Sequence, residues 1–274
     1  MTLNKRDQEI LERYLARKAA WEREPAPESG AAPESGAPEP IPPAFGDSRI
    51  TKQGDAYVIS NVTLYAPNGQ PARSYQQVFL DAKPVSEKGN ILIKTQPDWI
   101  SHYQGTGKRL PSLPLFYAIL EAVYDNQSDP VAQELKTSLE DDFTASWITT
   151  GTRINYQDKK IWHDVTQPNI LELQADIAGG DNYLDQLVTD ATWEAPLQAL
   201  FMTRDLGKIA QVMGMYTSKR GRLWTPTDRR GVDRAAFVGF NLDGDVFNVY
   251  GDSGLDGSGR SRGVAPEARN ARNP

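Results

Sequence analysis

A chain of 274 residues with 39% hydrophobic side chains is long enough for one large domain with extensions, or two small ones, around a real core. Its formal net charge of −6 argues against a nucleic-acid surface, and the absence of Cys removes both a disulfide framework and a thiolate metal site. No apolar run is long enough to span a membrane, and the charged start MTLNKRDQEILERY excludes a secretory signal, so a cytoplasmic location or a non-Sec route to a virion or cell surface is expected.

Leu3 to Arg23 reads as an amphipathic helix, with Ile10, Leu11, Tyr14, Leu15 and Trp21 near one face; it is either a docking element or a solvated tail. Residues 24–46 change character. EPAPESGAAPESGAPEPIPPAF repeats PESGA and carries Pro too often for a helix, which predicts an extended linker whose PEPIPP end is a spacer or a polyproline ligand. The folded domain is expected from Asp47 to residue 274.

AYVISNVTLYAPNGQPARSYQQVFL predicts two strands around Asn68-Gly69, because Asn-Gly between alternating apolar residues is a hairpin signal. NILIKTQ predicts a short third strand. Leu113 to Asn126 predicts a helix with Pro114 in its first turn, and Asp129-Pro130 supplies a cap and a first position for a second helix from Val131 to about Phe143. TASWITTGTRINY and KKIWHDV, rich in β-branched and aromatic residues, then predict strands. Asn169 to Ala178 and Asp181 to Leu187 fit strand or short helix. ATWEAPLQALFMTRD predicts a helix with Leu197, Leu200 and Phe201 in the core, which DLGKIAQVMGMYT continues or packs beside.

The stretch from Thr225 to Pro266 differs from everything before it. It contains no Lys, Glu, Gln, Met or Trp, five types that make up about a fifth of the chain. Turn-rich segments are poor in long side chains in any case, so usage alone leaves two explanations open. RAAFVGFN alternates as a half-buried strand, with Ala236, Val238 and Phe240 on one face and Phe237, Gly239 and Asn241 on the other. A second strand fits Asp245 to Tyr250. LDGD and GDSGLDGSGRS predict exposed turns, whose Asp, Ser, Asn, Tyr and Arg side chains suit adaptable recognition.

RAAFVGFN followed by SRGV at Ser261 to Val264 resembles the variable proteins of diversity-generating retroelements. The upstream runs GTGKRLPSLPLFYAILEAVYDN and DPVAQELKTSLEDDFTASWITTGTRINY are similar to forms of the same family, so the likeness covers most of the chain after Asp47. The resemblance implies an α+β, C-type-lectin-like domain that binds a protein or glycan ligand, with a diversified region at about 234–264. It also implies a mechanism in which reverse transcription misreads template adenines in AAC-type codons. Such codons yield fifteen residue types, and the five they cannot yield are the five missing here. The implied ligand surface is Asn241, Asp243, Asp245, Phe247, Asn248, Tyr250, Asp252, Ser253, Leu255, Asp256, Ser258 and Arg260.

No catalytic group, metal or cofactor is expected. GTGKR at Gly105 to Arg109 is not a phosphate loop, which needs Gly where His102 stands and Ser or Thr where Arg109 stands. His102 and His163 are the only histidines, too few for a zinc site without Cys. No nucleophile elbow is present. Two other classes share the lectin-like fold. Formylglycine-generating-type enzymes are disfavoured by the missing Cys, and a calcium-dependent carbohydrate-binding lectin would draw on Asp243, Asp245, Asp252 and Asp256.

Overall fold

The computed structural model describes residues 47–164, 170–172, 180–217, 220–225, 233–240 and 247–268, all within the unit Ile41–Pro274. The expected N-terminal helix and linker lie outside the described residues. The class is α+β.

The first sheet grows from the predicted hairpin. β1 (Arg49–Gln53), β2 (Ala56–Tyr65) and β3 (Pro71–Asp81) are antiparallel, and the last of the described strands, β15 (Val264–Ala268), adds to β3. Gly69 takes φ +74°, and the Asn68 side chain accepts from the Gln70 amide at 3.0 Å, the turn chemistry that Asn-Gly provides. Asn61 stands at φ +60° inside β2, and the phase of burial slips there. Tyr57 and Ile59 face the core before it, Val62 and Leu64 after it. On β3 the core residues are Tyr75, Val78 and Leu80, so both strands slip together and pairing stays in register.

The span expected as one strand, NILIKTQ, is instead the two-residue strands β5 (Asn90–Ile91) and β6 (Lys94–Thr95); β5 pairs with β4 (Ser86–Glu87), and β6 runs into helix α1 (Gln96–Tyr103). Thr95 caps α1 by accepting from the Asp98 amide, and Pro97 fits its first turn, so cap chemistry ends the strand early. α2 (Leu113–Asp125) and α3 (Pro130–Ala145) follow, capped by Ser112 and Asp129; the Asp129 carboxylate accepts from the amides of Val131 (2.7 Å) and Ala132 (3.2 Å). After α4 (Leu184–Leu187) and a short 3-10 turn, α5 (Glu194–Phe201) buries Leu197, Leu200 and Phe201 as predicted. α6 (Leu206–Gly214) packs beside it rather than continuing it, because Met202 breaks the chain with φ +48°.

The second sheet has seven strands in the order β10-β11-β13-β12-β7-β8-β9. They are β7 (Ile148–Asn155), β8 (Lys160–Trp162), β9 (Ile170–Glu172), β10 (Gly180–Tyr183), β11 (Arg222–Thr225), β12 (Arg234–Phe240) and β13 (Phe247–Gly254). Only β11 and β13 run parallel among these neighbours. Ala236 and Val238 of β12 are buried in the core and Phe240 packs against it, as the alternation predicts. Phe237, on the other face beside Tyr250, is buried too, so that face is covered at this point of the sheet.

β13 departs from the expected Asp245 to Tyr250. It runs through Gly254, so GDSG is strand, and the turn shrinks to Leu255, Asp256 and Gly257 before β14 (Ser258–Gly259) pairs with β6. Two glycines expected in turns serve close approach instead. A Cβ on Gly251 would run into the Tyr156 hydroxyl, and one on Gly259 would lie 2.5 Å from the Trp147 carbonyl oxygen.

Candidate ligand-binding face

Alternation along β13 sends Phe247 and Val249 into the core and Tyr250 to the outer face of the seven-stranded sheet. On β11, Leu223 goes inward and Trp224 outward, and the register places Trp224 directly beside Tyr250. On the far side Trp147, just before β7, lies over Gly239, where a Cβ would come within 3.1 Å of its ring. The three rings therefore form a row. Trp224 and Tyr250 have centroids 5.9 Å apart with planes tilted 33°, and Trp147 and Tyr250 5.5 Å apart with planes tilted 40°. Trp224 is 37% exposed, while Trp147 and Tyr250 are half-buried.

Next to the row, on β10, Tyr183 carries two guanidinium groups, Arg220 at 4.0 Å and Arg222 at 4.6 Å from its ring centroid. Arg222 also donates to the Tyr183 hydroxyl at 2.6 Å, and Arg220 grips Asp185 with both ends of its fork. Cation–π layering thus already operates on this sheet.

The twelve residues expected as ligand surface divide. Phe247 is fully buried, 4.8 Å from the Phe143 ring and stacked at 5.6 Å on Tyr216, so it belongs to the core and not to the ligand surface. Asn248 is only 5% exposed, flanked in register by Arg222 and Gly239, and is likewise corrected to an interior position. Arg260, expected on the ligand surface, is corrected as well. Its side chain is 16% exposed, and its guanidinium lies 3.8 Å from the buried Asp142 carboxylate, because the Ile148 to Arg260 bridge aligns it with a core residue. Tyr250 lies in the aromatic row, Leu255 is half-buried in the turn, and Asp256 and Ser258 are exposed. Of Asp252 and Ser253 only the backbone, in β13, is described. Asn241, Asp243 and Asp245 lie outside the described residues.

Trp147 and Trp224 are the members of the face that the sequence reading missed. Their signal was alternation, since Trp147 precedes the inward Ile148 and Trp224 follows the inward Leu223. Only the sheet register shows that they meet at Tyr250.

The segment behind this face is fixed by hydrogen bonds. Arg262 is buried and donates Nε to Asp142 (2.6 Å), one terminal nitrogen to the Ala82 carbonyl (2.9 Å), and the other to the carbonyl (2.9 Å) and hydroxyl (2.8 Å) of Ser138. Burial pushes the Asp142 carboxyl above its ordinary value even with Arg262 and Arg260 beside it, so the pair fixes geometry more than it adds stability. Ser261 accepts from the Tyr103 hydroxyl at 3.1 Å, and the Gly259 carbonyl accepts from the Trp99 indole at 2.8 Å.

Comparison with family models, curated proteins and solved structures gave no match.

The other candidate chemistry resolves into structural contacts. Gly105 and Gly107 take φ +77° and +73° in a turn, with Lys108 paired to Asp81 (2.6 Å) and Arg109 to Asp164 (2.7 Å). His163 is buried. The Ala199 carbonyl can only accept, so Nε2 donates to it (2.7 Å) and Nδ1 of the neutral ring accepts from Thr152 Oγ1 (3.1 Å), which itself accepts from the Leu113 amide. Burial lowers its pKa to about 4. His102 packs edge-on against Trp99. Among the described residues no three His, Cys, Asp or Glu side chains form a metal-holding group, and of the calcium candidates only the Asp256 side chain is described.

Proposed function

We propose that the chain is a ligand-binding protein whose outer sheet face and adjoining turn are diversified by a retroelement on a C-type-lectin-like scaffold. Its ligand is a protein or glycan. The observation that carries this reading is the aromatic row Trp147, Tyr250 and Trp224, displayed on a sheet whose opposite face is core. Trp and Tyr with neighbouring Arg is the residue set that dominates binding hot spots. Three further points support it: the quoted resemblance, the missing five residue types, and an initial hairpin followed by two helices and then strands.

The test is a library of the full chain with Asn241, Asp243, Asp245, Tyr250, Asp252, Ser253, Leu255, Asp256 and Ser258 randomised to the fifteen permitted types. Phe247, Asn248 and Arg260 stay fixed. Folding and binding are scored separately. Most members should fold, and folded members should differ in what they bind; a library that mostly unfolds, or folds and never discriminates, removes the reading. An independent genomic check is a near-identical copy of the window's nucleotides beside a reverse-transcriptase gene, differing mainly at adenines.

A further inference from the structure

Trp224 is the last residue before the stretch that lacks Trp, and it pairs in register with Tyr250 inside that stretch. Its other flank is built from outside the stretch. Arg222, two residues back on β11, pairs in register with Tyr183 of β10, and its guanidinium shares the Tyr183 ring with that of Arg220. This corner stays the same whatever the neighbouring turn becomes.

Arg220 shows what the corner does with an anion. Its guanidinium lies 4.0 Å from the Tyr183 centroid and holds Asp185 through Nε, at 3.0 and 2.7 Å, and Nη2, at 2.6 Å. A guanidinium resting on an aromatic ring keeps its donors in its own plane, where a carboxylate meets them. Asp185 occupies one edge of that fork. Among the described residues Nη1 has no hydrogen-bond partner, so the edge formed by Nη1 and Nη2 is open to a second carboxylate. The Arg220 side chain is 43% exposed and Trp224 37%, so a partner reaches both. The chain's net charge of −6 does not describe this corner, where the described charged side chains are Arg220, Arg222 and Asp185; of Asp181, the register partner of Trp224, only the backbone is described.

We infer that Arg220 and Trp224 are a fixed, specificity-determining corner of the ligand face that selects acidic protein partners. A partner Asp or Glu carboxylate sits on the Nη1 and Nη2 edge of Arg220, and an apolar side chain beside it covers Trp224. This rests on the ligand-binding reading above and narrows its ligand to protein, the class of surface that meets Trp and Arg in binding hot spots. Charge complementarity of this kind decides which partners are accepted more than how tightly they are held. The changeable turn then sorts among acidic surfaces.

The test uses full-chain library clones selected in parallel on serum albumin, an acidic protein without glycans, and on lysozyme, a basic one. Albumin binders should outnumber lysozyme binders by about tenfold or more. In albumin clones Arg220→Ala and Trp224→Ala should each weaken binding by about tenfold or more, Arg220→Lys by nearly as much because Lys has no fork, and the control Ile91→Ala by less than about twofold. Asp185→Asn separates contact from support. It breaks the same internal pair as Arg220→Ala but leaves the fork to the partner, so affinity should hold or rise. Capping the albumin carboxylates as amides should weaken the parent clones as strongly as Arg220→Ala. Unchanged affinity in Arg220→Ala, or equal losses in Arg220→Ala and Asp185→Asn, overturns the Arg220 contact, and unchanged affinity in Trp224→Ala overturns the Trp224 contact. Indifference to carboxylate capping, or no excess of albumin binders, overturns the partner chemistry. Clones that take sialyllactose but not albumin overturn the protein source of the carboxylate. A folded library that yields no binder to any of the three probes counts instead against the ligand-binding reading itself.

Discussion

Leu255 to Ser258 and Ser261 to Val264 are neighbours in sequence with similar composition, yet they do opposite things. The first leaves Asp256 and Ser258 in water. The second is buried throughout, with the Arg262 guanidinium spent on Asp142, Ser138 and Ala82. Residue type did not decide which became which. What decides is whether other elements cover the segment, since exposed Ser258 lies in a strand and buried Ser261 to Gly263 do not. The turn beyond β13 projects past the last register pair, while Ser261 to Val264 runs beneath α1 and α3 contacts on its way to β3.

The contrast is broken most forcefully at Arg262. Arg262→Ala leaves Asp142 as a buried carboxylate with only Arg260 nearby, and should cost about 3 to 5 kcal/mol. A fall in the urea midpoint of a size expected for a surface residue would show that the segment is not scaffold. The next largest effect is pH-dependent. The unfolded His163 imidazole takes its proton near pH 6.5 and the folded one only near pH 4, so between these values the unfolded chain binds more protons. The His163 contribution to stability should be level above about pH 6.5, fall as the pH drops, and level off below about pH 4, a total of about 3 kcal/mol. His163→Gln should flatten that slope in denaturant titrations across the range. The smallest effect belongs to the turn: Asp256→Asn and Ser258→Asn should each shift stability by less than about 0.5 kcal/mol. A larger loss would mean the turn carries structure that its exposure conceals.

Local chemistry was legible in the sequence wherever it acts over a few residues. Asn68-Gly69, Pro114, and Asp129 with Pro130 each mark a turn or helix start that the structure keeps, and the structure adds Ser112 as the cap before Pro114. The candidate site was less legible because it is made by register. Phe247 and Tyr250 differ in fate through the parity of one strand, and that strand was expected to end at Tyr250 because Gly251 and Gly254 read as turn residues. Gly251 is small because Tyr156, from far earlier in the chain, closes over it and donates its hydroxyl proton to the Gly251 carbonyl at 2.8 Å. No short window contains that information. Trp147 and Trp224 were overlooked for the same reason, since a search confined to one biased stretch cannot find residues that reach it across neighbouring strands.

The pairing of β15 with β3 has a consequence for how errors in the gene would be sorted. The sheet begun by the first hairpin receives its fourth strand from residues 264–268, downstream of the implied ligand surface, which ends at Arg260. A chain that slips its reading frame or stops anywhere between Thr225 and Arg260 never makes Arg262 or that strand. It exposes the edge of β3 and leaves Asp142 without its guanidinium, and a chain so weakened is cleared as unfolded protein. Substitutions in the turn pass this check, whereas shifts in length fail it. Under the proposed function, folding itself would screen the products of an error-prone copying step, and only copies that preserve the frame would reach the stage where binding is tried.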